Sequence, residues 1–437
     1  MATYYMSTDG DNVANDGLSE STPWKTVGKR NSGVTGADTV KWKRGQQWTG
    51  ATNSDAAITP VANGQTDTFF GNADAPPDIT TFDDAHHAVS LGAIDGHILR
   101  GLKLSGLQTV TTKNLVANTG ACANLLVEDC NLIGGANAIL LSAGTGHIAR
   151  KVYALNQWTD GFSVSGTGTR LAVSDFYIQG TGVANGAAGS GDALTSHDTA
   201  AITGRDGVVK KCGRVAVCIN TAGTNIFERI TVEHDNDAVD LYMFAQTGGG
   251  TMHCFDLEVF LAGTEAIYVF TQSGSVMVVG GCAVRSRNTN VASRVFYSGA
   301  TGLLAEQNNI SWQNGSLHYH CYQDGVTMAG GTNCYFPDHA GGFHSAIDVA
   351  NFAAWAVIVA ETGSIVTDPK LHATGAADLY QRALRLQAGS PCINTGTDLS
   401  AFFTKDRHGR GRPVGAAYDM GAYEFRGGPH DAPFWMG

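Results

Sequence analysis

A short alternating phrase returns six times between Asn137 and Val269. It reads Asn137-Ala138-Ile139-Leu140-Leu141, Asp160-Gly161-Phe162-Ser163-Val164, Asp192-Ala193-Leu194-Thr195-Ser196, Val215-Ala216-Val217-Cys218-Ile219, Asp237-Ala238-Val239-Asp240-Leu241 and Glu265-Ala266-Ile267-Tyr268-Val269. Each copy opens on a residue that is usually acidic, passes through a small one and continues apolar, variable, apolar. A period of two makes each copy a short strand, with its third and fifth residues facing inward and its fourth facing out. The copies start 23, 32, 23, 22 and 28 residues apart, the mark of an array of stacked units.

Further strands are predicted between the copies, over Asn124 to Asn131, Arg170 to Gln179, Asp206 to Lys211, Asn225 to Glu233 and His253 to Leu261, with Gly, Asn, Thr and Ser in the gaps. No strand this short buries its face alone, so successive copies must stack. The pattern predicts an all-β chain folded as a right-handed parallel β-helix solenoid. An antiparallel sandwich would need tight Asn-Gly hairpins, which are nearly absent from this region. The chain divides into an N-terminal cap with the first coil (1–95), the coils (96–350) and an irregular closing segment of the same solenoid (351–437).

Coils about 4.8 Å apart place the first residues of the copies in a column: Asn137, Asp160, Asp192, Val215, Asp237 and Glu265. Beside it run two outward columns, Ser163, Thr195, Cys218, Asp240 and Tyr268, then Ser165, His197, Asn220, Tyr242 and Phe270. Carboxyl groups on neighbouring coils lie about 5 Å apart, and about 10 Å apart on alternate coils. Asp160 with Asp192 therefore suits a retaining glycosidase, and Asp192 with Asp237 an inverting one. Crowding raises one pKa to make an acid and leaves the partner as base or nucleophile, with His197 orienting or supplying a proton. Trp158, Tyr242 and Tyr268 are the expected sugar-stacking platforms, with Asp240 beside them. The bland alternative is an acid ladder that holds a cation or faces water.

Composition narrows the partners. Of 437 residues 43% are hydrophobic, and 56 glycines against 10 prolines suit many tight turns. The net charge of −11 argues against nucleic acid, which demands a basic stripe. No apolar run is long enough to cross a bilayer, so no membrane partner is expected, and Met1 to Tyr5 enters folded-looking sequence without a signal-like leader. Nine cysteines without a CxxC pair read as apolar fillers. His318 and His320 share a strand face but lack a third metal ligand at recognisable spacing, and no metal site is expected there. Asp9-Gly10-Asp11-Asn12 is an acidic turn where calcium is the ion to consider.

Both ends of the chain carry a resemblance. Tyr4 to Asn12, Asp16 to Val27 with Pro23-Trp24, and Gly36 to Trp48 resemble the first coil of bacterial and phage right-handed β-helix proteins of the pectate-lyase-like class. The resemblance implies that Pro23-Trp24 packs on the first rung and that Gly45 sits at a turn. Phe352 to Trp355, Thr367 to Leu371, Leu386 to Gly396, Arg412-Pro413 and Asp419 to Glu424 resemble the closing segment of the same class, with Asp419 and Glu424 as structural acids. The class implies a polysaccharide partner. Thr159-Asp160-Gly161 and Gly191-Asp192 are similar to two motifs of its polygalacturonase-like hydrolases, although Ala193 stands where a second Asp is expected. This makes cofactor-free glycoside hydrolysis at Asp160, Asp192 and Asp237 the leading expectation. A polysaccharide lyase would instead use Lys211 and Arg214, with calcium held by Asp237, Asp240 and Glu265. A phage tail spike or other glycan-binding fibre without catalysis is the third expectation; it would be a homotrimer at a virion or extracellular surface.

Overall fold

Each coil bends between two strands on one residue in the left-handed backbone region, where side chains other than glycine's are strained. The computed structural model describes residues 1–49, 58–80, 86–106, 112–118, 120–183, 191–234, 241–299, 301–313, 319–324, 328–345, 347–372 and 384–427. These fall into two units, Met1–Thr203 and Gly204–Gly437, both built of parallel solenoid coils. In unit 1 the corner residues are Gly101, Asp129, Lys151 and Asp175, with φ from +51 to +67°. In unit 2 they are Asp206, Arg229, Asp256, Gly281, Asn308 and Thr332, with φ from +53 to +63°. Two of these corners, Asp129 and Asp256, split segments that sequence alternation joins. Asn124 to Asn131 becomes Leu126–Glu128 and Asn131–Ile133, and His253 to Leu261 becomes Thr251–Phe255 and Glu258–Leu261.

In unit 1 stacking begins at the first strand. Thr3–Met6 pairs in parallel with Thr39–Lys43, which pairs with Thr66–Phe70 and so on to Ile98–Arg100, Leu126–Glu128 and His147–Arg150. The third face stacks Val89–Leu91, Val116–Asn118, Ile139–Leu141, Phe162–Val164 and Leu194–Asp198. Trp24 is buried and stacks on Tyr4 at 4.7 Å, and Gly45 turns at φ +75°, as the terminal resemblance implies. The helix Val27–Gly33, capped by the Thr26 hydroxyl, delivers Arg30 into the interior. Arg30 Nη2 lies 2.6 Å from Asp67 Oδ2, and Asp67 also accepts from Trp42 Nε1 at 2.9 Å. His97 Nε2 lies 3.4 Å from the same carboxylate, and burial pushes its pKa down to about 4.

In unit 2 the third face stacks Val215–Thr221, Leu241–Gln246, Ile267–Gln272, Arg294–Ser298, Tyr319–Gln323 and Phe343–Ser345. Phe244, Phe270 and Phe296 line up inside, with centroids 5.4 and 5.5 Å apart. The helix Phe352–Val359 follows, its Trp355 fully buried against Phe343. Beneath it Tyr335 Oη contacts Glu306 Oε1 at 3.1 Å and Glu361 Oε1 at 3.0 Å. Burial, and then the neighbouring Glu361, push the Glu306 pKa well above the ordinary carboxylate range. The closing segment packs Leu384, Leu386, Cys392, Met420 and Tyr423 onto Phe260, Ala283, Ile310 and Cys334. Asp419 Oδ1 accepts from Asn394 N at 2.7 Å and Glu424 Oε1 from Asp419 N at 3.0 Å, so both acids secure the last turns. None of the nine cysteines is in a disulfide, and all but Cys218 are buried. Among the described residues no helix is long and apolar enough to cross a membrane.

Candidate functional site

The acidic column of unit 1 is a ladder of side chains that accept from backbone. Asn114 Oδ1 accepts from Asn137 N at 3.2 Å, Asn137 Oδ1 from Asp160 N at 3.0 Å, and Asp160 Oδ1 from Asp192 N at 3.0 Å and Gly191 N at 3.3 Å. The spacing in sequence thus does bring Asn137, Asp160 and Asp192 together on successive coils. The Asp160 carboxylate thus ties down the coil that follows it, through two backbone N–H groups. Asp192 is 1% exposed, whereas Asp160 and Trp158 are half-buried, so a ligand approaching this column meets Asp160. His197 is half-buried with Nε2 3.3 Å from Thr195 Oγ1. Ser163 and Thr195, expected to point into solvent, are 4% and 0% exposed.

Unit 2 carries a different surface. Tyr242 and Tyr268 stack with centroids 5.0 Å apart, as residues directly opposite in register. The column continues through Arg294 and Tyr319, and a second runs beside it through Tyr297, Tyr322 and His344. Tyr268 and Tyr297 lie 6.0 Å apart, Tyr297 and Tyr322 5.7 Å, and Tyr322 stacks on His344 at 4.1 Å. The Arg294 guanidinium carbon sits 3.6 Å from the Tyr322 ring centre, 4.6 Å from Tyr297 and 5.0 Å from Tyr268. At the end of the strip Asp348 accepts from Tyr319 Oη at 3.0 Å and lies 2.9 Å from His344 Nδ1, contacts that hold its carboxyl below the usual range. The strip crosses five adjacent strands, about 19 Å in all.

Its two outward columns exist because the strands break alternation. Pairing skips Ala216, Met243, Val269, Val295 and His320 in successive coils, each at most 1% exposed, and the next residue is buried as well. The stacked irregularity acts as a column of bulges and re-aims the flanking side chains. Outward residues therefore fall three apart, as in Arg294 and Tyr297. This corrects the register read from strict alternation. Val215 lies opposite Tyr242, Cys218 opposite Ala245, and Leu241 rather than Val239 opposite Ile267. Phe270, expected outside, is fully buried in the phenylalanine stack.

Other expected residues sit elsewhere. Lys211 is exposed at a corner with φ +53°, and Arg214 Nη2 lies 3.9 Å from Cys218 Sγ, both in unit 2. Asp237, Asp240 and His318 fall outside the described residues. His320 is buried and engages Ser311 Oγ at 2.7 Å and Pro337 O at 3.0 Å, so both ring nitrogens have partners. In the N-terminal acidic turn Asp11 Oδ1 accepts from Val13 N and Ala14 N, while Asp9 Oδ2 accepts from Gln46 Nε2, which makes the acids turn-closing groups. Among the described residues no group of three potential metal ligands converges. Arg294, Tyr297, Tyr322 and His344 were missed from sequence. Their signal was the spacing of 26, 26 and 25 residues along Tyr242, Tyr268, Arg294 and Tyr319.

No protein-family model matches this sequence, and no curated protein does. Among solved structures it is similar to XylC, determined in complex with xylose, at 9% identity over 96% of this chain and 98% of that one, with a TM-score of 0.58. The fold is a right-handed parallel β-helix. Pectate lyase Pel9A aligns at 12% identity over 98% of this chain and 97% of its own, with a TM-score of 0.47. The GH136 lacto-N-biosidase of Eubacterium ramulus aligns at 13% identity over 70% of this β-helix, with a TM-score of 0.41. The β-helix spans 64% of that enzyme's length.

Proposed function

We propose that this β-helix binds an extended polysaccharide along the aromatic strip of unit 2. The observation that carries the reading is the strip itself, five exposed or half-buried tyrosines repeating at the coil spacing on one parallel sheet. Sugar rings stack on such faces through their C–H surfaces, and a linear polymer offers one ring after another to a linear row of aromatics. XylC, of the same fold, was solved with a sugar bound, which supports the reading. In affinity electrophoresis against a polysaccharide panel, Tyr322→Ala is expected to weaken binding about tenfold, the cost of one well-packed aromatic contact. A variant that melts like the parent yet binds every polymer unchanged would remove the strip from the function.

Hydrolysis is the cleavage chemistry proposed, because the Asp160 carboxylate and Asp192 lie on consecutive coils, joined by the 3.0 Å bond from Asp192 N. Asp160, the more accessible of the two, faces substrate in this reading, and His197 serves the same column. Asp160→Asn keeps the Oδ1 acceptor for Asp192 N and so preserves the coil. It is expected to lower release of new reducing ends at least about a hundredfold, the usual worth of a general acid or base. Unchanged cleavage by Asp160→Asn and Asp192→Asn would remove this column, and an unsaturated uronate product would shift the chemistry to elimination by Lys211 and Arg214.

A further inference from the structure

Arg294 is the only cation among the described residues of the aromatic strip that is packed by its rings, and it has no acidic partner. No carboxylate of the described residues forms an ion pair with it, and its Nε is shielded from solvent without an acceptor. Three tyrosine rings lie against the guanidinium, Tyr322 at 3.6 Å, Tyr297 at 4.6 Å and Tyr268 at 5.0 Å. Stacking on ring faces satisfies the cation electrostatically but leaves hydrogen-bonding capacity along the guanidinium edge, where a carboxylate is bound bidentately. Nε alone of its nitrogens is cut off from solvent without an acceptor, so the edge left for a ligand carboxylate is the one that carries the two terminal nitrogens.

We infer that Arg294 forms the single anionic subsite of the strip, reading one carboxylate-bearing sugar flanked by neutral sugars stacked on the tyrosines. The inference rests on the strip being the glycan-binding face. Charge distribution decides between a sparsely acidic heteropolysaccharide and a uniform polyuronate. On one side of Arg294 the described residues of the strip are Tyr242 and Tyr268, and on the other it ends at Asp348, 61% exposed by its side chain. The whole chain carries a net charge of −11. A polymer with a carboxylate on every residue would place charges against neutral rings and against Asp348, while a single acid per repeat meets its one cation and nothing repulsive.

The test uses the full chain in affinity electrophoresis or calorimetry, with acidic heteropolysaccharides such as deacylated gellan, each paired with its carboxyl-reduced form, and with alginate as the uniform polyuronate. An acidic heteropolymer is expected to bind about ten- to a hundredfold more tightly than its reduced form, the range of a charge-assisted hydrogen-bonded pair, and more tightly than alginate. Arg294→Gln should remove that advantage, so that the acidic polymer and its reduced form bind it alike, and Arg294→Lys should recover only part of it because the planar fork is lost. Melting curves of both variants establish that the strip is intact. If no acidic heteropolymer outbinds its reduced form, or if alginate binds best, the subsite is overturned while the aromatic reading stands. If Tyr268→Ala leaves binding of reduced and acidic polymers alike unchanged, the aromatic reading falls and this inference with it.

Discussion

Replacing Arg30 by methionine is expected to destabilise unit 1 by about 3–5 kcal/mol at pH 7, the range for breaking a buried ion pair from one side. The two side chains are fully buried at 2.6 Å, and methionine fills much of the same volume, so the loss reports the stranded Asp67 charge rather than a cavity. The deficit should depend on pH. His97 has its pKa lowered to about 4 chiefly by burial, with Asp67 opposing and Arg30 adding to the depression. A depressed histidine contributes stability that is full above its unfolded value near 6.5 and is lost as pH falls through 4. Without Arg30 that depression weakens, His97 takes its proton at higher pH, and the proton neutralises Asp67. Urea denaturation at pH 7 and pH 5 should therefore show the difference between parent and variant shrinking on acidification. A deficit below 1 kcal/mol, or one that does not change with pH, would contradict the cluster as described.

Glu306→Gln is expected to change the pH dependence of unit 2 in the opposite sense. Glu306 is buried beneath the Trp355 helix and its pKa is raised, first by desolvation and then by Glu361. A raised carboxyl binds its proton more tightly in the folded state, so its stabilisation is full below the unfolded value of 4.5 and is lost as pH rises towards the folded one. Above pH 4.5 this single group therefore lowers the parent's stability as pH rises, at no more than about 1.4 kcal/mol per pH unit. Glutamine keeps the shape and an acceptor for Tyr335 and carries no proton to lose. The stability difference between Glu306→Gln and parent should thus move in favour of the variant as pH rises above 4.5. Denaturation curves at several pH values check the slope, and parallel curves for the two proteins would show Glu306 ionised in the folded state.

The two candidate surfaces were unequally legible. In unit 1 the recurrence of the phrase at Asn137, Asp160 and Asp192 places three side chains in one column, because the paired strands there keep alternation without a skipped residue. What those side chains do was hidden, since the N–H groups they accept come from the next coil and the alternation of side chains says nothing of backbone. In unit 2 the same alternation misaligned the columns. Strict alternation puts Tyr242 and Tyr268 in different columns, yet they face each other because Leu241, and not Val239, lies opposite Ile267. Arg294 escaped notice because a lone arginine in a strand has no motif; its meaning comes from three rings supplied by three strands.

By itself the sequence determined that this chain stacks. Short alternating strands at a steady period can bury their apolar faces only against copies of themselves, and that requirement is local enough to be read residue by residue. Tertiary structure alone decided which outward side chains meet. Adjacent coils bring together residues some 22 to 32 positions apart, and one skipped pairing moves every later side chain of a strand, so the aromatic strip, its arginine and the fate of the acids were settled by register between coils.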